Sequence, residues 1–291
     1  MIRGGSSRSQ QLRLVVVGLM AVTAAARGQT LAGPDTVVVH NGLVTLRALL
    51  WRPTGRGPFP AILVNHGSGR SREQLERLGP YENQAETLGP VFARHGYVFL
   101  FLFRRGVGLS ADEGENAVDL MNDEMTARGQ DARNALQLRL LEGRELSDAE
   151  AGLALLRRLP AVDARRIAIV GHSFGASLSI IQAEREPSVR AMVLFSSAGY
   201  SWDRSPELRS RLTAAMTHVR VPIFLIHAEN DYTTNPGKVL DARLTELRKV
   251  HRLKIYPPIG KTPDDGHDFP VNGVPVWESD VFAFLLEHLR K

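Results

Sequence analysis

Residues 171–175 read Gly-His-Ser-Phe-Gly. A serine hydroxyl set between glycines can attack a carbonyl carbon, but it needs a base to take its proton and a carboxylate to orient that base. The chain has nine histidines. His267, in Asp264-Asp265-Gly266-His267-Asp268-Phe269, is the one expected on a loop beyond the last strand. Asp231 follows the apolar run VPIFLIHAEN and is the candidate carboxylate; Glu229, two residues earlier, is the alternate. Asp268 adjoins His267 and is badly placed to orient it. His172 is expected to point away from Ser173, and His66 to brace a turn.

Attack on a carbonyl builds negative charge on its oxygen, so hydrogen-bond donors must meet it. The backbone N–H of Phe174, directly after Ser173, is one candidate. The other comes from His66-Gly67-Ser68-Gly69, where glycines let the backbone approach closely: the Ser68 N–H, with Gly67 or Gly69 as alternates.

These groups can meet only if the intervening elements bring them together. PAILVN, YVFLFLF, RIAIV, AMVLF, VPIFLI and LKIY are short, nearly continuous apolar runs, and they alternate with stretches of helical spacing. That pattern predicts a mostly parallel central sheet with helices on both faces, an α/β fold. DTVVVH and LVTLRALLW, joined at Asn41-Gly42, predict an antiparallel hairpin at one edge. In such sheets functional groups gather beyond the C-terminal ends of the strands. Residues 146–159 predict a helix with Ser147 as N-cap and Glu150 three residues on. Residues 111–146 are helix-compatible and read as a helical insertion, either a cap over the site or a solvated hairpin. Arg104 and Arg105 could bind an acidic substrate, or Arg105 could fix its own turn. Asp163 and Arg166 are expected to form a structural pair.

The first residues differ from the rest of the 291. Arg3, Arg8 and Arg13 precede the uncharged stretch LVVVGLMAVTAAA, and Arg27, Gly28 and Gln29 follow it. A basic start, a short apolar middle and small residues at the exit describe a secretory signal peptide over residues 1–28, cleaved after Ala26 or Gly28. Residues 29–291 then form the mature domain, exported to the periplasm or beyond. The apolar stretch is shorter than the roughly 20 residues a membrane-spanning helix needs. Removing it also removes four arginines and no acid, which lowers the net charge from +5 to about +1. The basic balance therefore argues for no nucleic-acid partner. The absence of cysteine excludes disulfides and thiolate-bound metals. No dinucleotide, phosphate-loop or zinc signature is present, so no cofactor is expected.

With these stretches in order, the chain resembles the α/β-hydrolases of the dienelactone-hydrolase-like branch, close to the catalytic domains of prolyl-oligopeptidase-type peptidases. The resemblance rests on ILVNHGSG, HGYVFLFLFRRGVGLS, LPAVDARRIAIVGHSFGA, VPIFLIHAENDYTTNP and DDGHDF, which span about residues 35–291. The order Ser173, Asp231, His267 is the one expected of that fold. Dienelactone hydrolases proper carry cysteine at the elbow, where this chain has Ser173. The related peptidases carry a large N-terminal propeller, for which this sequence has no room. The resemblance implies a serine hydrolase acting on carboxylic esters through an acyl-enzyme. Two other readings remain: a peptidase or amidase of the same fold cleaving short peptides, and a binding module whose hydrolase site is vestigial.

Overall fold

The computed structural model describes Met1 and residues 33–68, 71, 74, 75 and 80–290. The signal-peptide expectation and the alternate donor Gly69 lie outside those residues. Eight strands form one sheet in the order β1-β2-β4-β3-β5-β6-β7-β8. They are β1 (Asp35–Asn41), β2 (Val44–Trp51), β3 (Phe59–Asn65), β4 (Val98–Phe103), β5 (Val162–His172), β6 (Ala191–Phe195), β7 (Ile223–Ala228) and β8 (His251–Tyr256). β1 pairs antiparallel with β2, and β2 antiparallel with β4. From β4 to β8 every pairing is parallel. This is the α/β-hydrolase fold.

Both faces of the sheet are buried, which is why its strands read as unbroken apolar runs. Alternation within each strand then sorts residues between two cores. On β4, Val98, Leu100 and Leu102 enter one core, and Phe99, Phe101 and Phe103 the other. The aromatic side is covered by α1 (Glu82–Arg94) and, at the chain's end, by a helix over Val274–His288. The opposite side is covered by α2 (Ala117–Glu142), α3 (Arg144–Arg158), α4 (Phe174–Arg185) and later helices. Gly152 shows how closely α3 approaches the sheet: a Cβ there would lie 2.9 Å from Leu102 and 3.2 Å from Leu63.

The remaining helices follow in order: α5 (Ser201–Arg204), α6 (Pro206–Ala215), α7 (Asn235–Glu246), α8 (Pro263–His267), α9 (Phe269–Asn272) and α10 (Val274–His288). No helix among the described residues is long and apolar enough to cross a membrane.

Two local expectations shift. The hairpin turns on Gly42–Leu43, with Asn41 still paired to Val44. Gly42 takes φ +62°, so the glycine occupies the first turn position. Ser147 does not cap α3. The helix begins at Arg144 after Gly143, and the Ser147 hydroxyl instead donates to Asn41 Oδ1 at 3.0 Å. Gly143, whose N–H closes the preceding helix on Arg139 O, is where the chain breaks. The 111–146 stretch is mostly one element, α2, interrupted at Gly129 (φ +83°, ψ −175°).

Candidate active site

Ser173 stands between β5 and α4 at φ +55°, ψ −118°, a left-handed conformation that costs a non-glycine residue of order 1–3 kcal/mol. The surroundings hold it there. Its N–H donates to Phe195 O at 3.0 Å, and its carbonyl accepts from the N–H groups of Ala176, Ser177 and Ala198. The turn is tight enough to exclude side chains on either flank. A Cβ at Gly171 would sit 2.5 Å from Ser179 Oγ, and one at Gly175 only 2.0 Å from Asn65 O and 2.1 Å from His66 O. Gly175→Ala is therefore expected to prevent stable folding or to lower the melting temperature by more than 10 °C, since backbone cannot yield as a side chain can. Thermal unfolding followed by circular dichroism checks this. A variant melting within 2 °C of the parent would contradict the packing described.

Three separate strand ends then meet. The Ser173 hydroxyl donates to His267 Nε2 at 2.9 Å, and His267 Nδ1–H donates to Asp231 Oδ1 at 2.7 Å. That pattern assigns the imidazole tautomer. Asp231 follows β7, and His267 ends α8, whose start carries a capping box between Thr262 and Asp265. Asp231 also accepts from the Tyr232 N–H at 2.7 Å and from His227 Nδ1 at 2.9 Å. Burial opposes its ionisation, yet the hydrogen bonds from His227 and His267 hold its carboxyl well below the usual carboxylate range. Glu229 is exposed and makes none of these hydrogen bonds. Asp268 lines the cavity but makes no hydrogen bond to His267.

Phe174 opens α4, so its N–H has no acceptor within the helix and lies beside the serine. Gly67 and Ser68 border the same cavity, and a Cβ at Gly67 would touch Ser173 Cβ at 3.8 Å. The cavity measures about 350 Å³ and is also lined by Tyr81, His172, Tyr200 and Tyr232. Val118 and Met121 of α2 border a smaller space next to it. A larger, open groove of about 890 Å³ runs between α6 and α7, away from Ser173 and with no histidine in its walls. Among the described residues no group of three or more metal-ligating side chains converges.

The turn that carries Gly67 is fastened from below. Arg104, immediately after β4, donates to His66 O at 3.1 Å, to Gly67 O at 2.6 Å and to Glu145 Oε2 at 2.7 Å. Both charged side chains are 1% exposed. Arg105 is bound through its guanidinium and its N–H to Asp148. Neither arginine faces the cavity, so the reading in which they bind an acidic substrate is not met: Arg105 is structural, held by the Asp148 side chain, and it is Arg104 that fastens a turn through backbone carbonyls. Asp163 and Arg166 pair at 2.9 Å as expected.

His66 braces the turn as a neutral ring. Its Nδ1–H donates to Gly67 O at 2.8 Å and its Nε2 accepts from the Arg104 N–H at 3.2 Å. Burial, then the Arg104 charge, pushes its pKa well below 6.5. The unfolded chain thus takes up a proton near pH 6.5 that the folded chain refuses, and stability contributed by this group is lost as pH falls below about 6.5. The urea midpoint is expected to drop between pH 7 and pH 5, and to drop less in His66→Gln. An identical drop in both proteins would refute the assignment.

Three further residues belong to the site: His172, which the sequence puts in the elbow and pointing away from Ser173, and Tyr232 and Gly199, which it leaves unmarked. His172 lines the cavity, and its Nε2–H donates to the His267 carbonyl at 2.9 Å; the Ser196 hydroxyl donates to the same oxygen at 2.9 Å. Together they anchor the histidine loop. Tyr232 packs its ring over His267 with centroids 4.4 Å apart. Gly199 (φ +49°) leaves the reacting atoms clear, since a Cβ there would lie 2.9 Å from His267 Cε1 and 3.3 Å from Ser173 Oγ. The adjacency of His172 to Ser173 was the one available signal.

The sequence matches the dienelactone hydrolase family over residues 46–269. The comparison with curated proteins gives no match. Among solved structures, the dienelactone hydrolase from Anabaena variabilis is similar at 20% identity and TM-score 0.58, covering 89% of this chain and 100% of that one. An acylaminoacyl peptidase from Pyrococcus horikoshii is similar at 17% identity and TM-score 0.63, with 91% of this chain covered but only 43% of the peptidase. A dipeptidyl peptidase 4 from Porphyromonas gingivalis shows 16% identity and TM-score 0.58, covering 88% of this chain and 35% of that one. At these identities the likenesses speak to the fold, whereas the family match spans most of the chain: the protein belongs to the dienelactone hydrolase family and is a hydrolase.

Proposed function

We propose that this chain is an exported serine hydrolase that cleaves carboxylic esters through an acyl-enzyme. The observation that carries the reading is the unbroken hydrogen-bonded line from Ser173 through His267 to Asp231, at 2.9 and 2.7 Å. Ser173 Oγ attacks the ester carbonyl as His267 Nε2 takes its proton. The carbonyl oxygen becomes an oxyanion, for which the Phe174 and Ser68 N–H groups are the donors. When the tetrahedral intermediate collapses, the acyl–oxygen bond breaks and His267 returns the proton to the departing alcohol. Water, deprotonated by His267, then attacks the acyl-serine and releases the acid. Asp231 keeps the imidazole in its Nδ1–H form and stabilises its charge when it is doubly protonated.

The test compares p-nitrophenyl acetate and butyrate with aminoacyl-p-nitroanilides. Preferential turnover of the esters, abolished in Ser173→Ala, is expected. Turnover of the anilides without ester preference would shift the assignment to a peptidase. Failure of a fluorophosphonate probe to label Ser173 would leave a binding module. Export rests on Arg3, Arg8 and Arg13 followed by Leu14 to Ala26. Sequencing the N-terminus of the secreted protein should then find Arg27 or Gln29 first.

A further inference from the structure

Alternation along β7 puts Ile223, Leu225 and His227 on one face, and the first two belong to the apolar core. His227 stands where that pattern calls for another aliphatic residue. Its side chain is fully buried, and its Nδ1–H donates to Asp231 Oδ2 at 2.9 Å. Among the described residues its Nε2 is buried without a hydrogen-bond partner. Such an atom is uncommon in a folded chain, because its lost hydration goes uncompensated. The one polar contact this ring makes is therefore with the carboxylate.

The fold makes room for the ring. Gly237, in the first turn of α7, faces it: a Cβ there would lie 2.7 Å from His227 Cδ2 and 3.0 Å from both His227 Nε2 and Leu253 Cδ1. Neither Gly237 nor Leu253 of β8 brings a charge to the ring, and β6 on its other side is apolar throughout. Lys238, next on α7, is exposed. Asp231 is thus gripped by both oxygens. Oδ1 accepts from the N–H of Tyr232 and from His267, each at 2.7 Å, and Oδ2 accepts from His227. The titratable groups facing the carboxylate are His227, His267 and, at longer range, His172 and Tyr232. Burial is the largest influence on Asp231 and works against its charge; the strongest influence favouring the charge is the His227 hydrogen bond.

We infer that His227 is a positioning residue of the reaction: its ring holds the second oxygen of Asp231, so that Oδ1 stays aimed at His267 and the carboxylate's charge is shared between two imidazoles. The inference rests on the hydrolase reading of Ser173, and His227 itself touches neither substrate nor the reacting atoms. When His267 takes the serine proton, Asp231 balances the new charge. A carboxylate fixed at both oxygens needs no reorientation at that moment. Without His227, Oδ2 is buried with no donor and the carboxylate is free to turn about its Cβ–Cγ bond. It is also more basic, so that the Asp231–His267 pair takes up a proton at higher pH.

His227→Leu removes the donor at similar volume, whereas His227→Asn keeps an N–H close to the place of Nδ1. With p-nitrophenyl butyrate, His227→Leu is expected to lower kcat by about 10- to 100-fold while KM stays within about 2-fold. The acidic limb of kcat/KM against pH should move up by about half a pH unit or more. His227→Asn should recover most of both. His227→Gln repeats the contrast for a fold that does not tolerate leucine, since its N–H falls near Nε2 and should fail where asparagine succeeds. An acidic limb unmoved in His227→Leu and His227→Gln, or equal losses in these and His227→Asn, overturns the inference. Nitrogen-resolved titration of the His267 ring in Ser173→Ala, with and without His227→Leu, reads the pair without turnover. A midpoint higher by about half a pH unit or more in the double variant is expected, and equal midpoints overturn the inference. That shift, together with no ester turnover by the wild type, supports the inference and counts against the ester reading alone.

Discussion

Ser173→Ala is expected to lower kcat for p-nitrophenyl butyrate by roughly 10⁴- to 10⁶-fold, the range seen when the nucleophile of such an array is removed. The geometry demands a loss of that size. The hydroxyl is the only atom of the array that can bond to the carbonyl carbon, and His267 and Asp231 act through it. His267→Ala should cost a comparable amount, and the double variant little more than either single one, because members of one proton-transfer unit are not additive. Wild-type activity in Ser173→Ala would sink the mechanism. The same position makes a second, independent demand on stability. A left-handed φ of +55° strains alanine as it does serine, but not glycine. Ser173→Gly should therefore unfold about 1 kcal/mol later than Ser173→Ala in urea. Equal stabilities would show that the elbow stores no such strain.

The elbow, the acid and the histidine could be read from sequence because each is punctuated locally. Ser173 sits between glycines at a strand-to-helix change, Asp231 ends an apolar run, and His267 follows the last strand. Chain order then relates them, since parallel strands deliver their C-terminal ends to one edge of a sheet. What escaped depends on distance in sequence. His227 lies within an apolar run and reads as strand; only the fold shows its ring on Asp231. Arg133 sits among the many charges of 111–146, and nothing in its neighbours reveals that the Ser201 hydroxyl, far along the chain, is among its partners. Arg104 and Arg105 drew attention as adjacent charges after a strand, yet their partners Glu145 and Asp148 lie on α3, some 40 residues on. A charge's role is set by the partners the fold brings to it, and local sequence is silent on that. Ser147 failed as a cap for a related reason: Gly143 interrupts the helix earlier, and backbone breaks outrank side-chain capping signals.

The Arg104–Glu145 pair carries the second large expectation. Arg104→Ala should destabilise the protein by about 3–5 kcal/mol, because Glu145 is left buried at 1% exposure and loses its hydrogen bond from Arg104 Nε. Arg144, 3.1 Å from the other carboxylate oxygen, compensates only in part, as it is itself more exposed. The His66 carbonyl loses its Arg104 donor in the same substitution and the Gly67 carbonyl keeps only that of His66 Nδ1, and these belong to the turn that carries Ser68. Stability and catalysis should therefore fall together: a melting point lower by about 10 °C, and a lower kcat even at temperatures where the variant is fully folded. The double variant Arg104→Met/Glu145→Leu separates the two effects. Replacing both charges with apolar groups removes the orphaned carboxylate and should recover much of the stability. It does not restore the Arg104 hydrogen bonds to the His66 and Gly67 carbonyls, so kcat should remain depressed. Measured melting curves and single-turnover rates on the three proteins decide the matter. Full recovery of kcat along with stability would show that Arg104 serves only to neutralise Glu145, and that the turn holds its shape through His66 alone.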